Sequence, residues 1–160
     1  MLCIADLDVR QIGDLLGRYG IELELVADSA DIPASFWGAP EAGIIRSRVY
    51  VRADTPAHSL LHESAHIICM TADRRASLDR DAGGTDLEEA GVCYLQIILA
   101  DFIAGVGRDR LIQDMDDWGY SFRLGSTRRW FESDAEDARQ WLQQYDLLTD
   151  DNQPGWSLRQ

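Results

Sequence analysis

Two histidines and a glutamate stand close enough together in this chain to serve one metal ion. The segment His62-Glu63-Ser64-Ala65-His66 spaces its imidazoles four residues apart. On a helix that spacing puts both on one face, a turn from each other. Imidazole nitrogen is a good zinc ligand. Glu63, one residue beyond the first histidine, stands beside the same point, where its carboxylate can take a proton from a metal-activated water. Only three residues in the chain are histidine (His58, His62 and His66), so the pattern is not a by-product of a histidine-rich composition. The bland alternative is a buried helix with two satisfied histidines and a surface glutamate.

Hydrolytic zinc sites take three protein ligands and leave the fourth position to water, so a third ligand must lie beyond the two histidines. Cys69 shares their face, but three ligands along one straight helix cannot surround an ion tetrahedrally, and Cys69 is expected in the core. Glu88 and Glu89, 22 and 23 residues after His66, are the better candidates. Glu88 is preferred because it shares a face with Gly91, Leu95 and Ile98, the side expected to meet the metal helix. Against it, Thr85-x-x-Glu88 is also a capping box, in which Glu88 only closes the helix start and Glu89 is the ligand. A second electrophile for an oxyanion is sought among His58, Tyr120 and Arg123. His58 also reads as a first-turn surface histidine, and Tyr120 and Arg123 as structural residues.

Several elements must position these groups. Asp8 can cap a first helix, with Gln11 three residues on, a Leu7–Ile12 staple, and an apolar stripe from Val9 to Tyr19 that Gly20 ends. Residues 21–26 alternate strictly and read as a half-buried strand, and residues 43–52 as a β-hairpin or one long bent strand. Thr55 is the expected N-cap of the metal helix, with Pro56 at its first position. A polar loop at 79–84 separates it from a second helix running from Thr85 to about Ala104. Beyond lie a short helix at 109–117, an aromatic connector at 118–125 and a basic spot at Arg128-Arg129-Trp130. Ser133-x-x-Glu136 then opens a last helix with Ala138, Trp141, Leu142 and Tyr145 inward. This third of the chain reads as a cover for the core, or else as a specificity element or partner surface.

At 160 residues and 18.0 kDa, with 46 % hydrophobic and 27 % charged residues, the chain is expected to form one domain, residues 1–160. Its metal-binding core spans about 8–104, with a helical extension over about 105–160. A net charge of −13 argues against nucleic acid or an anionic membrane as partner. No basic, apolar leader is visible at the start, and the most apolar stretch, 91–107, is interrupted by Gln96 and Asp101. Three scattered cysteines make no disulfide framework. The expected location is cytoplasmic.

A short helix, a strand, a strand pair, an H-E-x-x-H helix and a glutamate-bearing helix with small residues after the glutamate resemble a minimal gluzincin. The arrangement is most similar to the core of ImmA/IrrE-type metallopeptidases. The residues that carry the resemblance are 44–52, His62, Glu63, His66 and Glu88, with Ala90 and Gly91 as the small residues. Ser64-Ala65 stands where that family often has Leu-Gly, and Val92 where it often has asparagine. The resemblance implies an α+β, zincin-like fold: a small mixed sheet packed on the H-E-x-x-H helix and a glutamate-bearing second helix, under a helical C-terminal cover. It implies Zn2+ held by His62, His66 and a downstream glutamate, with Glu63 as general base. The substrate would be a peptide or unfolded protein, lying along an exposed edge in 44–52, with pockets walled by Trp37, Tyr50 and the connector around Tyr120. A metzincin is excluded by Cys69 and Ala72, where that class has glycine and histidine. A peptide deformylase is excluded by the lack of its upstream cysteine and glycine motifs. The rival function is a catalytically idle zinc-binding regulatory or interaction protein.

Overall fold

The computed structural model describes all 160 residues. After a 3-10 turn (Ile4–Asp6), the chain forms α1 (Val9–Gly17), β1 (Glu22–Leu25), β2 (Gly43–Ile45), β3 (Arg48–Val51) and α2 (Ala57–Cys69). It continues through α3 (Ala72–Ala76), α4 (Asp86–Ala100), α5 (Gly107–Trp118), α6 (Thr127–Ser133) and α7 (Glu136–Gln144). The fold is α+β, with seven α-helices and one three-stranded mixed sheet. No helix is long and apolar enough to cross a membrane.

Strand order is β1-β3-β2, with β1 parallel and β2 antiparallel to the central β3. Residues 43–52 therefore form a hairpin, turned at Arg46-Ser47 with Arg46 at φ 50°. Central placement overturns the expectation of an exposed edge in this region. β3 is paired on both sides, and the outer edge of β2 is covered by the segment after α3. Arg46 N–H donates to the Leu78 carbonyl (2.9 Å), and Arg80 N–H donates to the Ile44 carbonyl (2.9 Å). β1 is less buried than its alternation suggests, since Leu25 points to solvent and only Leu23 is half covered. With a single layer of helices behind the sheet, α1 covers just part of this edge strand.

α1 begins as its sequence implies, with the Asp8 carboxylate accepting from the N–H groups of Arg10 and Gln11. Gln11 does not complete a box; its side-chain oxygen accepts from Ala104 N–H instead. At α2 the expected cap shifts by one residue. Pro56 is the N-cap, and the Thr55 hydroxyl turns back to accept from Arg52 N–H (2.9 Å). The first free donor of the helix, at Ala57, is satisfied by the Leu2 carbonyl (2.8 Å), so the N-terminal segment caps α2.

α2 and α4 pack against each other more extensively than any other pair of elements. α4 is buried along its whole length from Gly91 to Ala100, and it ends at Ala100 rather than near Ala104. Its Gly91 admits the Trp141 ring of α7, because a Cβ there would stand 2.8 Å from Trp141 Cε3. Trp141, Ala138 and Leu142 are buried as expected and Tyr145 is half covered, but Ser133 caps nothing. It is the last residue of α6, a helix that sequence patterning missed and that Ser126 caps by accepting from Arg129 N–H.

Candidate metal centre

Four side chains on one side of α2 decide the chemistry of the interior: His58, His62, Glu63 and His66. His62 and His66 come off successive turns, their rings perpendicular with centroids 4.7 Å apart. Opposite them, α4 presents Glu89. Its Oε1 lies 3.1 Å from His62 Nε2 and its Oε2 3.2 Å from His66 Nε2. Ligands about 2.0–2.1 Å from a tetrahedral ion stand about 3.3–3.4 Å apart, so these separations suit a small cation. The three groups offer one donor each, all within 4.8 Å of one another, and could hold a metal ion.

The structure thus brings Glu89, not Glu88, to the histidines. Glu88 is 3 % exposed and faces the other way. Its carboxylate accepts two hydrogen bonds from Arg74 (2.7 and 2.8 Å) and one from Arg159 (3.0 Å). Arg74 reaches on to the Ala82 carbonyl (2.6 Å), and Arg159 to the Cys69 carbonyl (3.2 Å). A carboxylate held by two guanidiniums has no lone pair turned to the imidazoles. The capping-box reading is correct in part: Thr85 Oγ1 accepts from Glu88 N–H (3.1 Å), while the Glu88 side chain joins the ion cluster rather than the cap. Glu88 and Gly91 instead meet Arg159 of the C-terminal tail and Trp141 of α7. Cys69 is fully buried and outside the converging set.

Gln96 is the residue beside the candidate site that the sequence reading passed over. It lies two turns after Glu89 on the same face and is completely buried. Its Nε2 donates to the His58 carbonyl (3.3 Å), which leaves its Oε1 facing His62 Nδ1 at 2.7 Å. A neutral His62 therefore carries its proton on Nδ1 and directs the Nε2 lone pair to the point shared with His66 and Glu89. The one available signal was a lone amide inside ten consecutive buried positions of α4. His66 Nδ1, by contrast, is buried without a partner, so packing and the Glu89 contact at Nε2 orient that ring.

The charges of these groups adjust to one another. Burial pushes the His62 imidazolium down, but Tyr120, Cys93 and Glu89 outweigh it and hold the pKa well above the usual histidine value. Burial pushes the Glu89 carboxyl up, and contacts with both imidazoles more than reverse this, leaving it below the ordinary carboxylate range. The Glu63 carboxyl is raised by burial, with His62 and His66 opposing.

The centre opens into a cleft of about 740 Å³. Glu63 lines it beside His62 and His66, and the segments 36–41, 80–86 and 118–120 form its walls. Of the three electrophile candidates, two are here. Tyr120 lines the cleft, its hydroxyl 3.1 Å from His58 Nδ1, and burial pushes that phenol up to about 12. His58 is buried, not the surface residue its first-turn position suggested, and desolvation brings it down to about 4, so it is neutral. Arg123 is excluded: it is exposed and tied to Asp134. Trp37 is a cleft wall as expected; Tyr50 lies on the sheet, away from the cleft. No known protein family, curated protein or solved structure matches this chain.

Proposed function

We propose that this protein is a zinc-dependent peptidase in which His62, His66 and Glu89 hold the ion and Glu63 is the general base. The observation that supports it best is the placement of Glu63. A site built only to stabilise a fold encloses its metal in protein ligands, whereas here three donors meet at the floor of an open cleft with a second carboxylate, that of Glu63, alongside. Zinc in that position would lower the pKa of a water toward neutrality and polarise a carbonyl. Glu63, partly desolvated, would accept the proton of that water and hand it to the departing nitrogen. Gln96 would hold His62 in the tautomer that binds, and Tyr120 stands at the wall where a developing oxyanion could receive a hydrogen bond. The similarity to gluzincins, with Glu89 as their third ligand, rests on this donor set. Regulation through metal binding without hydrolysis is the rival.

Zinc analysis and a peptide-library assay test the reading together. The wild type should carry one zinc per chain and cleave peptides. Glu63→Gln should keep the zinc and lose turnover by at least about a hundredfold. Equal turnover by Glu63→Gln, or zinc retained by a His62→Ala, His66→Ala double variant, would overturn it.

A further inference from the structure

Every exposed aromatic side chain in this protein lies in one place. Trp37, Phe36 and Trp118 are 78 %, 49 % and 43 % exposed, and all three line the cleft above His62 and His66. The remaining aromatic residues are buried or half-buried. Scattered surface apolar groups need no explanation, but large rings gathered at one concave site do. Phe36 and Trp37 pack edge to face at 5.0 Å on one wall. On another, the Trp118 ring sits 5.0 Å from His58, and its indole N–H donates to Glu41 (3.0 Å), which fixes the ring toward the opening.

Charge in the same cleft has one dominant sign. Five carboxylates (Glu41, Glu63, Asp81, Asp86, Glu89) line it against one guanidinium, that of Arg80. A divalent ion offsets two of the five, and the rim remains acidic on a chain of net charge −13. Recognition through the edge of β2 is closed off as well, because that edge is taken by residues 78–80. Side chains must carry the selectivity.

We infer that the cleft selects an extended peptide with a large apolar side chain beside the cleaved bond and neutral or basic flanking residues, gripped by Trp37, Phe36 and Trp118. This rests on the hydrolytic reading above for the word cleaved, but not for the selection itself. An aromatic or long aliphatic side chain fits between the ring walls and is desolvated there, while aspartate or glutamate in the flanks meets the acidic rim.

The test uses blocked decapeptides with a single central Phe, Ala or Asp, each flanked by Lys or by Glu, and zinc-loaded full-length protein. The Lys-flanked Phe peptide should exceed the Ala peptide and the Glu-flanked Phe peptide in kcat/KM by about tenfold or more. Trp37→Ala should collapse the Phe-to-Ala ratio toward one with zinc content and circular dichroism unchanged. Leu124→Ala, exposed and away from the cleft, should leave the ratio alone. Equal rates on the Phe and Ala peptides, preference for Glu flanks, or an unaltered ratio in Trp37→Ala overturns the inference. If no peptide is cleaved at full zinc loading, the hydrolytic reading fails separately, and tryptophan-fluorescence titration of the same peptides decides selection. The same order of affinities then upholds the aromatic site, and equal affinities reject it.

Discussion

Adjacent glutamates with opposite duties allow a clean test by paired substitution. Glu88→Ala removes a carboxylate that is 3 % exposed and accepts three hydrogen bonds from Arg74 and Arg159. Breaking a buried ion pair from one side costs about 3–5 kcal/mol, because the other charge stays behind unpaired. Arg74 keeps contact with water, its side chain 35 % exposed, which favours the low end, about 3 kcal/mol. For a chain of this size each kcal/mol shifts Tm by roughly 2–4 °C, so the expected loss is on the order of 10 °C. Zinc stoichiometry at 20 °C should remain one per chain. Glu89→Ala should do the reverse: no stoichiometric zinc, and a metal-free Tm within a few degrees of the wild type's, since its carboxylate is half exposed. The assay is differential scanning calorimetry of chelator-stripped protein together with elemental analysis after reloading. A zinc-free Glu88→Ala protein with an unshifted Tm would refute the assignment, as would Glu89→Ala retaining its metal.

Three further outcomes follow from the same geometry. Gln96→Leu, which fills the space but cannot accept from His62, should weaken zinc about 10–100-fold in chelator competition, and unchanged affinity would remove Gln96 from the site. Gly91→Ala should lower stability by about 1–3 kcal/mol through overpacking against Trp141, read as a urea midpoint shift at constant slope. His58 has its pKa depressed from 6.5 to about 4, so the unfolded chain takes up a proton there before the folded one. Its contribution is therefore lost as pH falls from about 6.5 to about 4, a span of 2.5 units or about 3 kcal/mol. His62 and Glu89 titrate too, so the comparison is with His58→Gln in chelator-stripped protein: it should lose less stability than the wild type between pH 7 and pH 5. An identical loss in both proteins contradicts this.

The sequence was legible where one short segment carries its own geometry. His62, Glu63 and His66 needed only helical spacing, and Asp8 needed only its place before an apolar stripe. The choice between Glu88 and Glu89 was not legible, because α4 is buried on every face and its periodicity marks no side as the one toward α2. What decides it is the pair Arg74 and Arg159, 14 and 71 positions from Glu88, and no helical periodicity reaches that far. The covered edge of β2 was hidden for a similar reason: the segment that pairs with it comes after α3 and contains no strand-like run. Gln96 was visible but read only as an interruption of an apolar stretch.

The contacts that finish this centre are made across long distances in the sequence. Leu2 N–H donates to Asp114, 112 positions on, while its carbonyl caps α2. Arg159 closes on Cys69 and Glu88 across 90 and 71 positions. During synthesis the two histidines are in place on their helix long before the tail that braces α4 has emerged. Until then the start of α4 is held only by its Thr85 cap and by Arg74, without the brace from Arg159 that fixes Glu89 against the histidines. Long loops of this kind close late, after local helices have formed. On the proposed reading, tight metal capture would therefore wait for the segment around Arg159, and a chain made only as far as α4 would carry the motif without the means to use it.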